Sequence, residues 1–391
     1  MNTPPRLRYE LTYTIDGPID ALNERTTRNW TLERHARRGR PRRAVLVALG
    51  VGAVGTLSGC LHAYVDDQEE PRPGVIDVSG TDVVTVTYRT TAGETEEFVV
   101  SDVDPDLVDG VNGWAFIDRS ALPPALKRVS SDPDAGVVVM GNWALVGELA
   151  SDTKPVRNGR VTVVVPAGRA VDAGRKTYFL STYLSPYALA PRPTSVTIVA
   201  APDALPHRGV MYPNGTGYVT ITAFWDGRVN SVWIHEYLHA QQHFQVDVEM
   251  RWSIEGSAEY LTFRVMQEQY SGVSNDDVVA RLERWPDHSD AILSDPTTWD
   301  NAIVDHVRGA RLLYRLDGIL RTRSTHEYTL FDVFYAMNRQ VDAISVETFC
   351  QIVENHSGAD ETWLREAITQ DGRLEWCEGV DDDVFTVQPD G

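Results

Sequence analysis

Lysine is nearly absent from this sequence of 391 residues, in which only Lys127, Lys154 and Lys176 occur. Acidic side chains number 56 against 36 for Lys and Arg together, which gives a formal net charge of -20. Proteins hold the phosphate backbone of nucleic acids through Lys and Arg side chains that displace counterions. A chain with this balance is therefore not expected to have nucleic acid as a partner.

Long apolar runs are absent too, and none approaches the ~20 residues that a membrane-spanning helix needs. The run over residues 44–56 is shorter, follows Arg42 and Arg43, and leads into Leu57-Ser58-Gly59-Cys60. A basic stretch followed by a short apolar core is typical of an export signal.

The N-terminus resembles a twin-arginine signal, and its Leu-Ser-Gly-Cys ending is similar to a lipoprotein processing box. The resemblance implies cleavage before Cys60, a lipid on the Cys60 sulfur, and export to the outer face of the cytoplasmic membrane. Residues 1–60 are then the signal, and the acidic, proline-containing residues 61–74 are a tether. A membrane anchor that is never cleaved is the alternative.

Cysteine is scarce, since Cys350 and Cys377 are the only other thiols. The two could pair in an oxidising exterior. Cys350 falls in a helical pattern and Cys377 in the C-terminal tail, so the pairing is left open.

The acidic surplus has a second interpretation. Many solvated Asp and Glu side chains with little lysine resemble the proteins of salt-loving archaea. A surface that only confers solubility is the alternative.

Residues 75–169 contain short β-branched runs separated by Asp, Pro and Gly, which predicts a β-sheet domain. The predicted strands include residues 83–88, 97–100, 137–140 and 161–165. This part has no repeat of fixed period and no cluster of His, Cys or paired carboxylates. We expect it to act as a scaffold or as a surface on which substrate docks.

From residue 170 the pattern changes and predicts the second domain, residues 170–391. Residues 178–184 predict a helix that ends before Pro186, and residues 195–200 predict a buried strand. An alternating strand follows at 218–224. If it forms a sheet edge it could bind an extended peptide, and the alternative is an ordinary sheet strand.

The segment 233–239 contains the pattern His-Glu-x-x-His within apolar residues. Asn230 or Ser231 can cap a helix that starts there and extends to about Phe244. Residues four apart share one helix face, so His235 and His239 can bind one zinc ion while Glu236 flanks an open coordination position. The pattern indicates metal-assisted hydrolysis.

Glu255 begins a second pattern, Glu-Gly-x-Ala-Glu-Tyr, about one helix further on. Together the two patterns resemble the gluzincin clan of zinc peptidases, in which the Glu before the Gly is the third metal ligand. The resemblance implies that Glu255 is that ligand and that Glu259, one turn later, holds the other nitrogen of a ligand histidine. The small Gly256 and Ala258 would let helices approach closely. His243 is disfavoured as a ligand, because three-histidine zincins break the helix with a glycine that is missing here.

Residues 305–321 predict a long helix similar to the Tyr-x-Lys-Gly helix of aminopeptidase-like gluzincins. Residues 329–334 and 348–358 resemble the C-terminal helices of the same catalytic domain, particularly in the glycyl aminopeptidase family. Alignment on Gly309 puts His306 in place of the Tyr that hydrogen-bonds the oxyanion, and Arg308 in place of the Lys. His306 can serve as that donor, and Tyr314 and Tyr260 are the alternatives.

Gly209-Val210-Met211-Tyr212 stands where the aminopeptidases carry Gly-x-Met-Glu. The missing carboxylate is the group that would bind a free substrate amine, so cleavage at a peptide end and within the chain both stay open.

The sequence therefore predicts an α+β protein, with an N-terminal β-sheet domain followed by a mainly helical, thermolysin-like zincin catalytic domain. We expect a peptide or protein substrate, a Zn²⁺ cofactor, and Glu236 as the general base. The alternative is a surface lipoprotein that binds peptides or partners and has a structural or inactive zinc site, and a closed site with four protein ligands would favour it.

Overall fold

A computed structural model of the protein describes residues 72–385, apart from residues 130, 158, 224–228, 359, 361, 377–379 and 381. The described residues belong to one compact unit. The export signal with Cys60, most of the tether, and Cys377 fall outside them, so the processing and the disulfide stay predictions. Within the described residues, no helix has both the length and the apolar character needed to cross a membrane.

The described strands before residue 148 form two antiparallel sheets, one in the order β1-β2-β3 and one in the order β4-β5-β7-β6. Val84, Val86 and Tyr88 alternate along β2 and are buried, as half-buried strands require. The strands predicted at 83–88, 97–100 and 137–140 are confirmed. The bounds are β1 Gly74–Gly80, β2 Val84–Arg89, β3 Thr95–Val100, β4 Val108–Asp109, β5 Trp114–Asp118, β6 Val137–Met140 and β7 Trp143–Gly147, with a short helix α1 Pro124–Arg128.

The next described strands form a mixed five-stranded sheet in the order β11-β12-β10-β9-β8. Their bounds are β8 Leu149–Val156, β9 Gly159–Pro166, β10 Thr194–Ala201, β11 Gly209–Met211 and β12 Thr216–Thr220. Strand β10 pairs in parallel with β9 and with β12. Val163 and Ile198 face the apolar core that the helices cover, whereas Val164 and Val199 face the core of the N-terminal sheets. Both faces of the sheet are therefore buried at β9 and β10.

The boundary predicted between residues 169 and 170 divides this sheet, because β8 and β9 come before it and β10 comes after it. The sequence analysis assigns the run at 161–165 to the N-terminal domain because of its position in the chain. In the structure it forms β9 and pairs with β10, which starts only at Thr194. Pairing between strands so far apart in sequence cannot be recognised from the residues near either strand.

The strand predicted at 218–224 is observed as β12, which ends at Thr220. It lies between β10 and β11, so of the two alternatives it is an ordinary interior strand, and β11 is an edge strand among the described strands of the sheet. The hydrogen bonds from Thr220 N to Arg208 O and from Tyr212 N to Thr216 O fix the pairing of β11 with β12. By the antiparallel alternation, the backbone groups of Gly209 and Met211 point away from β12.

The part of the chain after residue 230 is mainly helical, which confirms the predicted α+β class. Ser231, one of the two predicted N-caps, caps the helix of the His-Glu-x-x-His pattern, with its hydroxyl 3.5 Å from Ile234 N. The helices predicted at 178–184, 305–321, 329–334 and 348–358 are present, whereas α5 and α9 carried no strong sequence signal. The described bounds are α2 Ala173–Leu184, α3 Val232–Ala240, α4 Trp252–Gln269, α5 Asn275–Glu283, α6 Ile303–Arg323, α7 Leu330–Met337, α8 Val346–Ser357 and α9 Thr362–Thr369.

Helix α3 ends at Ala240, four residues before the predicted end. Tertiary contacts replace the helical hydrogen bonds there, because the Asn338 side chain accepts the His243 N–H at 2.7 Å. The Gln242 side chain also turns back, and it donates to Ile254 O at 2.7 Å. Both partners are distant in sequence, so residues 240–244 alone look helical.

Residues of α4, α6 and α7 form a buried network of hydrogen bonds and ion pairs around the side chain of Asp317, which is 0% exposed. The Asp317 carboxylate accepts from Tyr260 Oη at 2.8 Å, from Arg321 Nε at 3.0 Å and from Leu330 N at 2.7 Å. Arg264 Nε lies 3.6 Å from the same carboxylate. The Tyr260 hydroxyl is therefore already used as a hydrogen-bond donor to Asp317.

Candidate metal centre

Helices α4 and α6 cross where Gly256 faces Gly309. A Cβ atom on Gly256 would lie 2.9 Å from Gly309 Cα and 3.1 Å from Asp305 O, which is too close for most side chains. The sequence pattern predicted that Gly256 allows a helix to pack closely against α4, and in the structure that helix is α6. This crossing brings the first turn of α6, which carries His306, against the first turn of α4, which carries Glu255.

The imidazoles of His235 and His239 lie on one face of α3 and point at Glu255. His235 Nε2 and His239 Nε2 are 2.9 Å apart, and they lie 3.3 Å and 3.1 Å from Glu255 Oε2. All three residues are buried. The structure thus brings together the three groups that were predicted to bind zinc.

His306 reaches the same point from α6. Its Nε2 lies 3.1 Å from Glu255 Oε2, and its ring is nearly parallel to that of His235, with centroids 6.0 Å apart. His235, Glu255 and His306 offer ligand atoms within 4.8 Å of one another. The oxyanion donor predicted from the sequence is therefore adjacent to the predicted metal ligands.

Each of these imidazoles has an oxygen atom next to its other nitrogen. Glu259 Oε2 lies 3.1 Å from His235 Nδ1, as predicted, and Asp305 Oδ1 lies 2.7 Å from His306 Nδ1. Gln242 Oε1 lies 2.9 Å from His239 Nδ1. Histidines that bind metals commonly have such a partner, which orients the ring and directs Nε2 to the ion.

Glu236 is buried next to the imidazoles, about 100° around α3 from His235, and it lies against strand β11. A Cβ atom on Gly209 would lie 2.4 Å from Glu236 Oε1, so only glycine fits there without displacing the carboxylate. Glu236 Oε2 is buried and has no hydrogen-bond partner among the described residues. Burial of a carboxylate oxygen without a hydrogen bond destabilises the folded protein, because the lost hydration is not replaced.

Burial raises the pKa of Glu236 to about 8, although His239 and His306 act in the opposite direction. Burial also acts to raise the pKa of Glu255, but the adjacent His239 and His306 hold that pKa well below its usual range. Burial opposes protonation of His306, yet the carboxylates of Glu255 and Asp305 raise its pKa well above the ordinary value. The site therefore combines one carboxyl with basic character and one carboxylate that stays ionised.

A donor set of imidazole nitrogens and one carboxylate oxygen suits zinc. The convergence of the Nε2 atoms on one Glu255 oxygen, with every Nδ1 next to an oxygen, is the observation that fits such an ion. His235, His239 and Glu255 are the residues that would hold it.

The other candidates from the sequence lie elsewhere. His243, which the sequence disfavours as a ligand, is exposed, and its Nε2 lies 3.1 Å from Thr194 Oγ1. The Tyr314 hydroxyl accepts from Asn275 Nδ2 at 2.9 Å, and the Tyr260 hydroxyl is held by Asp317. Arg308 donates to His288 O and Gly372 O and so fixes loops around α6. His306 is thus the oxyanion donor favoured by position.

Asp305 and Gln242 were not identified from the sequence. Asp305 directly precedes His306, and a carboxylate next to a candidate histidine is a signal that could have found it. Gln242 lies three residues after His239, and residues three apart are neighbours on a helix, so this spacing is a signal that could have found it.

No family model and no curated protein matches the sequence. Among solved structures, the chain is similar to an aminopeptidase N family protein from Idiomarina loihiensis, at 16% identity and a TM-score of 0.49 over 75% of this chain. The chain spans 60% of the length of that protein. It is also similar to an M1 zinc metallopeptidase from Deinococcus radiodurans, at 14% identity and a TM-score of 0.44, covering 79% of this chain and 94% of that one. At such identities the similarity concerns the fold alone.

Proposed function

We propose that this chain is a zinc-dependent peptidase that is exported and anchored outside the cell by a lipid on Cys60. The observation that carries the proposal is Glu236: a buried carboxylate, with one oxygen unpaired, beside converging imidazoles. Among the described residues its Oε2 has no hydrogen-bond partner that would stabilise it, and perturbed carboxylates of this kind are typical of catalytic sites.

A zinc ion held by His235, His239 and Glu255 supplies Lewis-acid chemistry, which polarises a carbonyl group and makes water more acidic. Glu259 and Gln242 orient the two histidines through their Nδ1 atoms. A metal site with both its ligands and their supporting groups in place is organised before substrate arrives.

Glu236 acts as the general base in this proposal. Its carboxylate removes a proton from the attacking water and then transfers that proton to the nitrogen of the leaving amine. Burial makes this carboxylate a stronger base than an exposed one, which favours the first transfer.

His306 acts on the developing oxyanion. Its Nε2–H can donate to the negatively charged oxygen of the tetrahedral intermediate, while Asp305 holds Nδ1–H and stabilises the imidazolium form. The Asp305 carboxylate keeps the ring oriented, so Asp305 is a positioning residue.

The substrate in this proposal is a peptide whose backbone pairs with the edge of β11. That strand passes Glu236 at Gly209, and the backbone groups of Gly209 and Met211 point away from β12. Tyr212 follows, half-buried, where a carboxylate would bind a free substrate amine in the families that the sequence resembles. We therefore propose that a free N-terminus is not required for cleavage.

A second candidate function is a surface lipoprotein with a structural metal site. The position of His306 favours it, because a fourth protein ligand would close the coordination sphere. Under this alternative Glu236 has no chemical role.

Zinc removal separates the two functions. In high salt, the full-length protein should cleave casein or a peptide library; a chelator should reduce cleavage to background, and added zinc should restore it. Mass spectrometry of the products should show internal cuts and cuts in N-acetylated peptides. If the zinc-loaded protein cleaves nothing, while chelation lowers its melting temperature, the structural alternative is correct.

Cys60→Ser tests the anchor. Without the sulfur there is no atom for the lipid, so we expect the variant to leave the detergent phase, or to remain unprocessed, when cells are partitioned. Cys350→Ser is the matched control, since it changes a thiol buried in α8. Equal partitioning of Cys60→Ser and the parent would show that no lipid is attached to Cys60.

A further inference from the structure

We infer that His306 is a fourth ligand of the metal ion in the resting protein, so that substrate must displace its imidazole to reach the metal. The inference rests on the proposed metal site and concerns the state of that site before substrate binds. It differs from the oxyanion role, which His306 takes only after it has been displaced.

The distances at the site suit four donor atoms. Tetrahedral zinc with bonds of about 2.0–2.1 Å places its donor atoms about 3.3 Å from one another. Glu255 Oε2 lies 3.3 Å from His235 Nε2, 3.1 Å from His239 Nε2 and 3.1 Å from His306 Nε2. His306 is therefore as close to this oxygen as the two predicted histidine ligands are.

His306 Nε2 also lies among the other donor atoms. It is buried, and the ligand atoms of His235, Glu255 and His306 all lie within 4.8 Å of one another. A buried nitrogen at this position is within reach of an ion that the neighbouring donors hold.

The other ring nitrogen of His306 has a carboxylate partner. Asp305 Oδ1 lies 2.7 Å from His306 Nδ1, and Glu259 Oε2 lies 3.1 Å from His235 Nδ1. His306 thus has the same carboxylate-histidine arrangement as a predicted ligand. A carboxylate that accepts from Nδ1–H leaves the Nε2 lone pair available for a metal.

The fold holds His306 at this distance. The contact of Gly256 with Gly309 sets the separation of α4 and α6, and His306 lies almost one turn before Gly309 on α6. Its imidazole can leave by side-chain rotation while the helices stay in contact. A closed resting site would limit random hydrolysis, because water gains access only when a substrate competes with the imidazole.

The zinc-edge X-ray absorption spectrum of the full-length zinc protein tests the inference directly. We expect multiple scattering from three imidazoles in the parent, and from two imidazoles with an added light donor in His306→Ala. His243→Ala is the matched control, because His243 is exposed and contacts Thr194 instead; it should retain three imidazoles. Competition with a chelator should show at least a ~10-fold weaker zinc affinity in His306→Ala than in His243→Ala.

Two imidazoles in the parent spectrum would overturn the inference, whether or not His306→Ala folds. Equal zinc affinity of the two variants would overturn it as well. If the parent cleaves peptides with zinc bound by only two imidazoles, the proposed function stands and only the fourth ligand fails. If the parent binds no zinc, both are wrong.

Discussion

Glu236→Gln should reduce peptide hydrolysis by at least about 100-fold while the protein stays folded and keeps its zinc. Glutamine has nearly the same size and can still form hydrogen bonds, but it cannot accept a proton from water at neutral pH. Glu236 is one residue past His235, about 100° around the helix, and its carboxylate lies against Gly209 rather than among the ligands. The measurement is the rate of peptide cleavage at equal zinc occupancy.

Glu283→Gln is the matched control, because it makes the same chemical change at an exposed position on α5. It should leave hydrolysis unchanged. A Glu236→Gln protein that retains a rate within a few-fold of the parent would rule out Glu236 as the base and with it the proposed mechanism.

In the metal-free protein, Glu236→Gln should also change how the free energy of unfolding depends on pH. The pKa of Glu236 is raised in the folded state from 4.5 to about 8, so the folded state holds a proton that the unfolded state releases. This group therefore lowers stability as pH rises from about 4.5 to about 8. The difference in unfolding free energy between Glu236→Gln and the parent should grow in favour of the variant across this window.

Asp317→Ala should lower the free energy of unfolding by about 3–5 kcal/mol, because it removes the shared partner of the buried Arg264 and of Arg321, whose side chain is 11% exposed. The Tyr260 hydroxyl and the first N–H of α7 lose their acceptor as well. Urea unfolding at constant salt concentration measures the change.

Glu347→Ala is the control for this experiment. Glu347 pairs with Arg365 at 2.6 Å, but its side chain is 74% exposed, so the loss should stay below about 1 kcal/mol. Similar losses in Asp317→Ala and Glu347→Ala would mean that the buried network does not contribute as its contacts imply.

Several elements of this fold follow from local sequence. The β-branched runs predict strands such as β2 and β6, and the start of α3 follows from Ser231 as an N-cap. The convergence of His235 and His239 follows from helical spacing alone. These features depend on residues a few positions apart, which a single sequence displays.

The features that the sequence does not predict depend on distant partners. The end of α3 is set by Asn338, 95 residues beyond His243, and the pairing of β9 with β10 spans α2. The approach of His306 to Glu255 requires Gly309 to face Gly256, and either glycine alone is also compatible with a flexible loop. Such contacts become visible only when the chain is folded.

The five-stranded sheet also limits how this protein can be divided. Because β10 takes β9 as its parallel neighbour, a fragment that begins at residue 170 would have the buried strand β10 as a bare edge, with Val196 and Ile198 losing part of their cover. Bare apolar edges recruit other chains and aggregate. Strands β8 and β9 therefore belong to the fold that holds the metal centre, and gene fusions or proteolytic trimming that preserve this centre must keep the chain intact from β8 onward.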